Sequence, residues 1–400
     1  MKDLAITTKL VHAGERRAQP AGLPVAMPIY ATSTFTYDSM EEIDKVFSGE
    51  TNDYVYSRNG NPNVAALEEA LCVVENGNAA TVFASGMAAM HAALLACELS
   101  AGAVVLASQD LYGATFELLY KIFAPFGIKT ATVDFNNIDA LREKISEVKP
   151  RVLIAETISN PLLKVCDIET CANLAHQAGA RLIVDNTFAS PYLCQPLDLG
   201  ADFSVHSTTK YLGGHADSTG GAVIARDELD RAALVGVSKL VGGILAVWEA
   251  HQILRGMKTL SLRMERQCAN ANLLAEHLTK HAKIEKVFYP NLAAGNESKI
   301  VRGVLREPFG GALVSIRLKE NTREAAFCFM NALKLCVRAT SLGDVFTGVS
   351  HPMISSHREL SPKKRASLGI GDGLVRISVG IEDIKDIIAD IEQALTMENG

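Results

Sequence analysis

The chain has 400 residues, 48% hydrophobic and 21% charged, with no long biased tract, so it is expected to fold throughout and to have enough core to enclose a pocket. Its 39 Lys and Arg against 45 Asp and Glu give a formal net charge of −6, and beyond Lys363, Lys364 and Arg365 no basic block would hold nucleic acid. No apolar run reaches the roughly 20 residues of a bilayer span, and the start, MKDLAITTKLVHAGERR, has no leader pattern, so neither a membrane nor export is expected and the cytosol is the default.

Residues 1 to about 60 are turn-rich, through PAGLPVAMPIYATSTFTYDS and SGETNDYVYSRNGNPN, and read as an extended arm. From 61 to about 255, short β-branched runs alternate with helical stretches. TVFAS, AVVLAS, TATVDF, RVLIAET, RLIVDNT, FSVHST and GGAVIA are strand candidates, and GMAAMHAALLACE and IETCANLAHQAG have helical period. Strands apolar on both faces with helices between them imply an α/β fold built on a mainly parallel sheet, with ligands beyond the carboxyl ends of the strands. Residues 256–400 change pattern to a long helix, LSLRMERQCANANLLAEHLTKH, the strands GALVSIRL and LVRISVGIE, and a last helix DIKDIIADIEQALT, a smaller α+β domain. The eight cysteines are scattered without zinc-site spacing, so no metal is expected and they read as reduced, mostly buried side chains.

The predicted strand ends carry the chemistry. Ser85, Gly86 and Met87 follow the first strand and open a helix, where free N–H groups and close backbone approach favour a phosphate, although such a turn is often only a helix cap. Ser207 and Thr209 bring hydroxyls from another strand, and Lys210 stands beside them in SVHSTTKYLGGHAD. No GxxxxGK[ST] pattern explains that lysine. A surface lysine does not need this setting, whereas an amine held to form a Schiff base does. Asp185 ends the apolar run of RLIVD, a costly place for a carboxylate without a cationic partner. With Lys210 25 residues on, it suggests pyridoxal 5′-phosphate, the lysine on the aldehyde carbon and the aspartate on the ring nitrogen. Arg376 interrupts the apolar strand LVRISVG and must find an anion. Glu156 reads equally as a hydrogen-bonding support or as a plain strand-end carboxylate.

PIYATSTF, YSRNGNPN, ASGMAA, DLYGATF, ETISNP, VDNTF, HSTTKYLGGHAD, RGMKTLSLRM, TSLGD and LVRISVGIED occur in this order, and through them the chain closely resembles the cysteine and methionine metabolism family of pyridoxal-phosphate enzymes, nearly end to end. The resemblance implies fold-type I, with a mainly parallel seven-stranded sheet. It implies Lys210 as the Schiff-base lysine, Asp185 as partner of the ring nitrogen, and Ser85, Gly86, Met87, Ser207 and Thr209 as one half of the phosphate site. It places Tyr112 on the ring, Asn160 near the ring oxygen, and Arg376 on the substrate carboxylate with Ser341 and Asn160 assisting. Tyr56 and Arg58 are implied to reach the phosphate in a neighbouring subunit, hence an obligate dimer, usually paired into a tetramer.

The implied reaction is elimination from a sulfur amino acid, with Lys210 moving protons and Tyr112 serving the leaving sulfur. Thr340 stands where many cystathionine-cleaving γ-enzymes of the family carry glutamate, and Asp344 resembles the methionine γ-lyases. Ala114 and the segment VFTGVSHPMISSH, residues 345–357, depart from their pattern. The expected activity is therefore α,γ-elimination of methionine or a homocysteine-like substrate. The alternatives are a cystathionine γ- or β-lyase, a homoserine-ester sulfhydrylase or a cystathionine γ-synthase.

Overall fold

The computed structural model describes residues 22, 24–358 and 360–397. The amino-terminal stretch on which the leader reading rests, and the first 21 residues of the arm, lie outside the described residues. All seven strand candidates of the first sheet form: β1 Ala79–Phe83, β2 Val104–Ser108, β3 Lys129–Val133, β4 Val152–Glu156, β5 Arg181–Asp185, β6 Phe203–His206 and β7 Gly221–Ala225. They lie in the order β1-β7-β6-β5-β4-β2-β3. β2 pairs parallel with β3 and β4, and β4, β5 and β6 continue the parallel run. β7 runs antiparallel to both β6 and β1.

Strand alternation divides the buried side chains between two layers. Leu182, Val184 and Ile224 pack into one core, and Ile183, Val205 and Val223 into the other. Both faces are therefore covered, which is what unbroken apolar strands require. Leu67 and Leu71 of the helix Pro62–Glu75 enter the first core, and Ala89, Met90 and Ala93 of the helix Gly86–Ala96 the second.

The second sheet has the order β10-β11-β12-β9-β8, with β8 Ile284–Phe288, β9 Leu313–Leu318, β10 Val337–Arg338, β11 Gly348–Ser350 and β12 Leu374–Ser378. β9 and β12 are the two expected strands, and the helices Leu260–Leu278 and Ile384–Thr396 pack on them through Leu274, Leu278, Ile387 and Ile391. Six of the eight cysteines are buried. Among the described residues no helix is long and apolar enough to cross a membrane.

The arm differs from its extended reading at one point, the helix Met40–Ser48. Its ends explain it: the Ser39 side chain accepts from Glu42 N–H at the start, and Gly49 takes φ 78° at the stop. None of its residues is buried. A bridge between Thr34 and Tyr56 closes the arm on itself, and Asn61 and Asn63 tie it to the helix Pro62–Glu75 by donating to the carbonyls of Tyr30 and Pro28.

Candidate active site

A cavity of about 520 Å³ opens at the carboxyl ends of β4, β5 and β6. It collects Ser85, Gly86, Met87, Tyr112, Glu156, Asn160, Asp185, Ser207, Thr209, Lys210 and Arg376. Ser341 is bonded to the lysine inside it, Nζ donating to Oγ at 3.1 Å. Tyr56 and Arg58 do not line it: Tyr56 is exposed, Arg58 Nη1 donates to the Lys239 carbonyl at 3.1 Å, and the guanidinium carbon lies 5.6 Å from the Tyr56 ring centre.

Ser85 caps the helix Gly86–Ala96, its side chain accepting from Ala88 N–H at 3.2 Å, so the first amides of the helix stay available at the cavity. Gly86 permits this turn to meet the Ser207 loop, because a Cβ there would stand 2.8 Å from Ser207 Cβ. Ser207 N–H donates to Thr187 Oγ1 at 2.8 Å, and Gly220 N–H donates to Thr209 Oγ1 at 3.0 Å, fixing the hydroxyl-bearing loop.

Asp185 has its carboxylate Oδ1 accepting from Thr187 N–H at 2.9 Å. Burial raises its pKa, and the Thr187 hydrogen bonds, side-chain and backbone, oppose that rise. Lys210 is shifted the other way: burial lowers its pKa and the charge of Arg376 lowers it further, against the pull of Asp344. A larger fraction of the amine is thereby uncharged near neutrality. Arg376 is held by Asn160 Oδ1, which accepts from Nη1 at 2.9 Å, and its Nη2 reaches the Ser341 carbonyl at 3.4 Å. Burial brings its pKa down to about 10, so it stays cationic, and its buried Nε has no hydrogen-bond partner among the described residues.

Glu156, which the sequence leaves between two readings, supports the site. Oε1 accepts from Tyr112 N–H at 2.6 Å and Oε2 from Asn160 N–H at 3.1 Å, so one carboxylate holds two cavity loops. Burial, and then the Asp185 charge, raise its pKa well above the usual range. Thr187, Phe188, Thr219, Ser355 and Ser356 also line the cavity, and the sequence reasoning misses them. Thr187 and Phe188 stand two and three residues after Asp185 in VDNTF, where the strand-end signal runs on past the carboxylate. Ser355 and Ser356 lie in a segment with no periodic pattern.

This donor set suits pyridoxal 5′-phosphate. Helix amides and hydroxyls meet where the Ser85–Gly86 turn and the Ser207 loop leave no room for a side chain, a buried carboxylate answers a protonated ring nitrogen, and an amine of lowered pKa answers an aldehyde.

The sequence matches the Cys/Met metabolism PLP-dependent enzyme family over residues 7–396. The chain belongs to that family. As a Cys/Met metabolism enzyme it is 42% identical over 396 residues to the L-methionine γ-lyase of Fusobacterium nucleatum subsp. polymorphum, covering 98% of each chain. It is 40% identical over 388 residues to the cystathionine γ-synthase of Mycobacterium bovis, covering 97% of this chain and 96% of the relative. Among solved structures, the cystathionine γ-lyase of Micromonospora echinospora superposes with a TM-score of 0.87 at 35% identity, over 99% of this chain and 100% of the other. That of Lactobacillus plantarum, complexed with L-serine, gives 0.85 at 34% over 92% of each. The chain is thus a pyridoxal-phosphate-dependent enzyme of fold-type I, and its substrate is a small amino acid.

Proposed function

We propose that the protein is a carbon–sulfur lyase carrying out α,γ-elimination on methionine or a homocysteine-like amino acid, giving 2-oxobutyrate, ammonia and a thiol. The observation that carries this reading is the convergence in one cavity of the Lys210 amine, the Asp185 carboxylate and the Arg376 guanidinium, in a chain whose full-length relatives include L-methionine γ-lyases.

When bound, pyridoxal 5′-phosphate supplies an aldehyde for the amine and a ring that takes up electrons from the reacting carbon. Ser85, Gly86, Met87, Ser207 and Thr209 would hold its phosphate, Asp185 its ring nitrogen, Asn160 its ring oxygen and Tyr112 its face. Arg376, oriented by Asn160 and Ser341, grips the substrate carboxylate with the bidentate geometry of a guanidinium. Lys210 Nζ takes the Cα proton and carries protons between neighbouring substrate carbons, which its lowered pKa permits. Tyr112 attends the leaving sulfur, on a loop that Glu156 fixes through the backbone.

The division of the chain that goes with this reading is an arm to residue 60, a cofactor-binding domain over 61–255 and a C-terminal domain from 256 that contributes Ser341 and Arg376. Tyr56 and Arg58, outside their own chain's cavity, serve the phosphate of a second copy, and the working unit is a dimer of dimers in the cytosol.

A second reading, cystathionine cleavage or γ-replacement, is favoured by the cystathionine γ-synthase relative. Purified protein loaded with cofactor should be offered methionine, homocysteine, cysteine, cystathionine and O-acetylhomoserine, with oxo acid and thiol measured. 2-Oxobutyrate with methanethiol from methionine supports the first reading. Methionine left intact while cystathionine is cleaved, or while O-acetylhomoserine and a thiol are joined, transfers the assignment to the second, and pyruvate as main product means β-cleavage.

A further inference from the structure

Beneath the cavity, four polar side chains form a cluster sealed from solvent: Glu75, Thr157 and Asn186 are 0% exposed and His206 is 1% exposed. His206 Nε2 meets Glu75 Oε1. Asn186 Nδ2 donates to the same Glu75 oxygen at 3.0 Å and to the Cys194 carbonyl at 2.8 Å. Thr157 Oγ1 donates to Asn186 Oδ1 at 2.7 Å, and Glu75 Oε2 is buried without a hydrogen-bond partner among the described residues.

Thr157, Asn186 and His206 lie at strand ends or one residue beyond, each next in sequence to a residue of the cavity wall. Thr157 follows Glu156, Asn186 follows Asp185, and His206 precedes Ser207. Glu156 pairs with Asp185 and Asp185 with Val205 across the sheet, so alternation turns the adjacent residues to the opposite layer. There Glu75, at the end of the helix Pro62–Glu75, gathers them.

A buried ionisable pair contributes little net stability compared with apolar packing, because desolvation offsets the attraction. A cluster on three neighbouring strand ends does something apolar side chains cannot, since hydrogen bonds fix direction and register. We propose that Glu75, His206, Asn186 and Thr157 are positioning residues of the active site, locking the strand ends from which Glu156, Asp185 and Ser207 enter the cavity. This rests on the reading of that cavity as the cofactor site. The cluster also acts on Asp185 electrostatically: burial raises the carboxyl pKa, the Thr187 bonds oppose the rise, and His206 adds to that opposition.

The test compares Thr157→Val, Glu75→Gln and His206→Gln with Ile316→Val, a core change in the other sheet chosen as a stability control. For each, the dissociation constant of pyridoxal 5′-phosphate, the visible circular dichroism of the bound cofactor, the Tm of cofactor-free protein, and kcat and KM are measured. The cluster variants should bind cofactor roughly tenfold more weakly, as the loss of one buried hydrogen bond allows, with altered dichroism and lowered kcat. Their KM for the amino acid should stay within about twofold, since Arg376 is untouched. Ile316→Val should lower Tm alone. Cluster variants that lose Tm but keep cofactor affinity and dichroism would reduce the cluster to a structural role and overturn the proposal. Should Glu75→Gln or His206→Gln not fold, Thr157→Val, which removes a single hydroxyl, decides. A parent protein that takes up no cofactor would instead overturn the functional reading itself.

Discussion

Lys210 Nζ donates to Ser341 Oγ at 3.1 Å, joining residues 131 positions apart. The contact depends on backbone proximity: Gly343 has φ 82°, and a Cβ there would stand 2.7 Å from Tyr211 N. Gly343 N–H donates to Ser378 Oγ at 2.9 Å, two residues along β12 from Arg376. The amine is therefore oriented by the same C-terminal segment that carries the carboxylate-binding arginine.

Lys210→Ala should lower turnover by roughly 10³-fold or more, the scale of losing a positioned acid–base group, while the fold and noncovalent cofactor uptake persist. Ser341→Ala should cost only several-fold in kcat, since it removes an orienting acceptor and leaves the amine. Steady-state kinetics beside borohydride trapping and peptide mapping check this. Substantial activity in Lys210→Ala, or a label on another side chain, would remove the lysine from its role.

Arg376→Ala should raise KM strongly and lower kcat/KM by roughly 100-fold, as expected for a buried charged hydrogen-bond partner, and Arg376→Lys should recover little because it cannot hold Asn160 and a carboxylate with one planar fork. Arg376→Ala also removes a charge that lowers the Lys210 pKa. In cofactor-free protein, labelling of Lys210 by an amine reagent should therefore shift its pH dependence upward. An unchanged labelling profile would uncouple the two groups.

Much of this site is legible in the sequence because strands apolar on both faces end abruptly in polar residues, so Asp185, Glu156 and Ser207 announce themselves. The second sheet is harder to see. β8, IEKVF, exposes Glu285 and Lys286 side by side, and β10 and β11 are too short to show alternation. The reversal of β7 has no sequence signal, since its run GAVIA is as apolar as those of its parallel neighbours. The arm helix Met40–Ser48 is hidden by its turn-rich flanks. Glu156 keeps two readings in the sequence because its partners are backbone amides, one of them Tyr112 N–H 44 residues earlier, and backbone donors leave no residue-type signature.

Glu68 makes a pH-dependent contribution to stability. Its Oε1 accepts from Val82 N–H at 3.1 Å on the edge strand β1. Burial pushes its carboxyl pKa up to about 7, against that hydrogen bond and the Arg231 charge. The native state thus binds this proton more tightly than the unfolded chain, so the contribution is present at low pH and is lost as pH rises through about 7. Glu68→Gln keeps an acceptor for Val82. It should be more stable than the parent at pH 8 by about 1–3 kcal/mol and nearly equal to it near pH 4.5, because a tenfold change in proton affinity between folded and unfolded chain is worth ~1.4 kcal/mol. Chemical denaturation at the two pH values measures the difference. A gap of equal size at both would rule out the ionisation as its source.

Gly86→Ala should weaken cofactor retention without unfolding the protein. Its Cβ would press on Ser207 Cβ at 2.8 Å, and the hydroxyl loop is the part with room to move, since the Ser85 turn is fixed by the start of an 11-residue helix. Spreading the phosphate-facing groups should raise the dissociation constant of pyridoxal 5′-phosphate by roughly tenfold or more, as expected when one charge-assisted contact is lost. Equilibrium titration reads this directly, and parent-like affinity would place the phosphate elsewhere.

Arg58 and Lys210 test whether a site is built by two chains. Arg58 lies outside its own cavity and is exposed, so if it completes a partner's phosphate site, Arg58→Ala and Lys210→Ala each disable every site in their own homodimers. In a mixed dimer, the site carrying Lys210 on the Arg58→Ala chain receives an intact arm from the Lys210→Ala chain, while the other site lacks both groups. Random mixing makes half the dimers mixed, each with one working site of two, so activity should return to about a quarter of the parent value under the two-fold exchange of arms. Equimolar co-expression with differently tagged chains provides the measurement. No recovery despite tandem-purified mixed dimers would mean that Arg58 acts within its own chain, and full activity in Arg58→Ala homodimers would mean that it does not act at all.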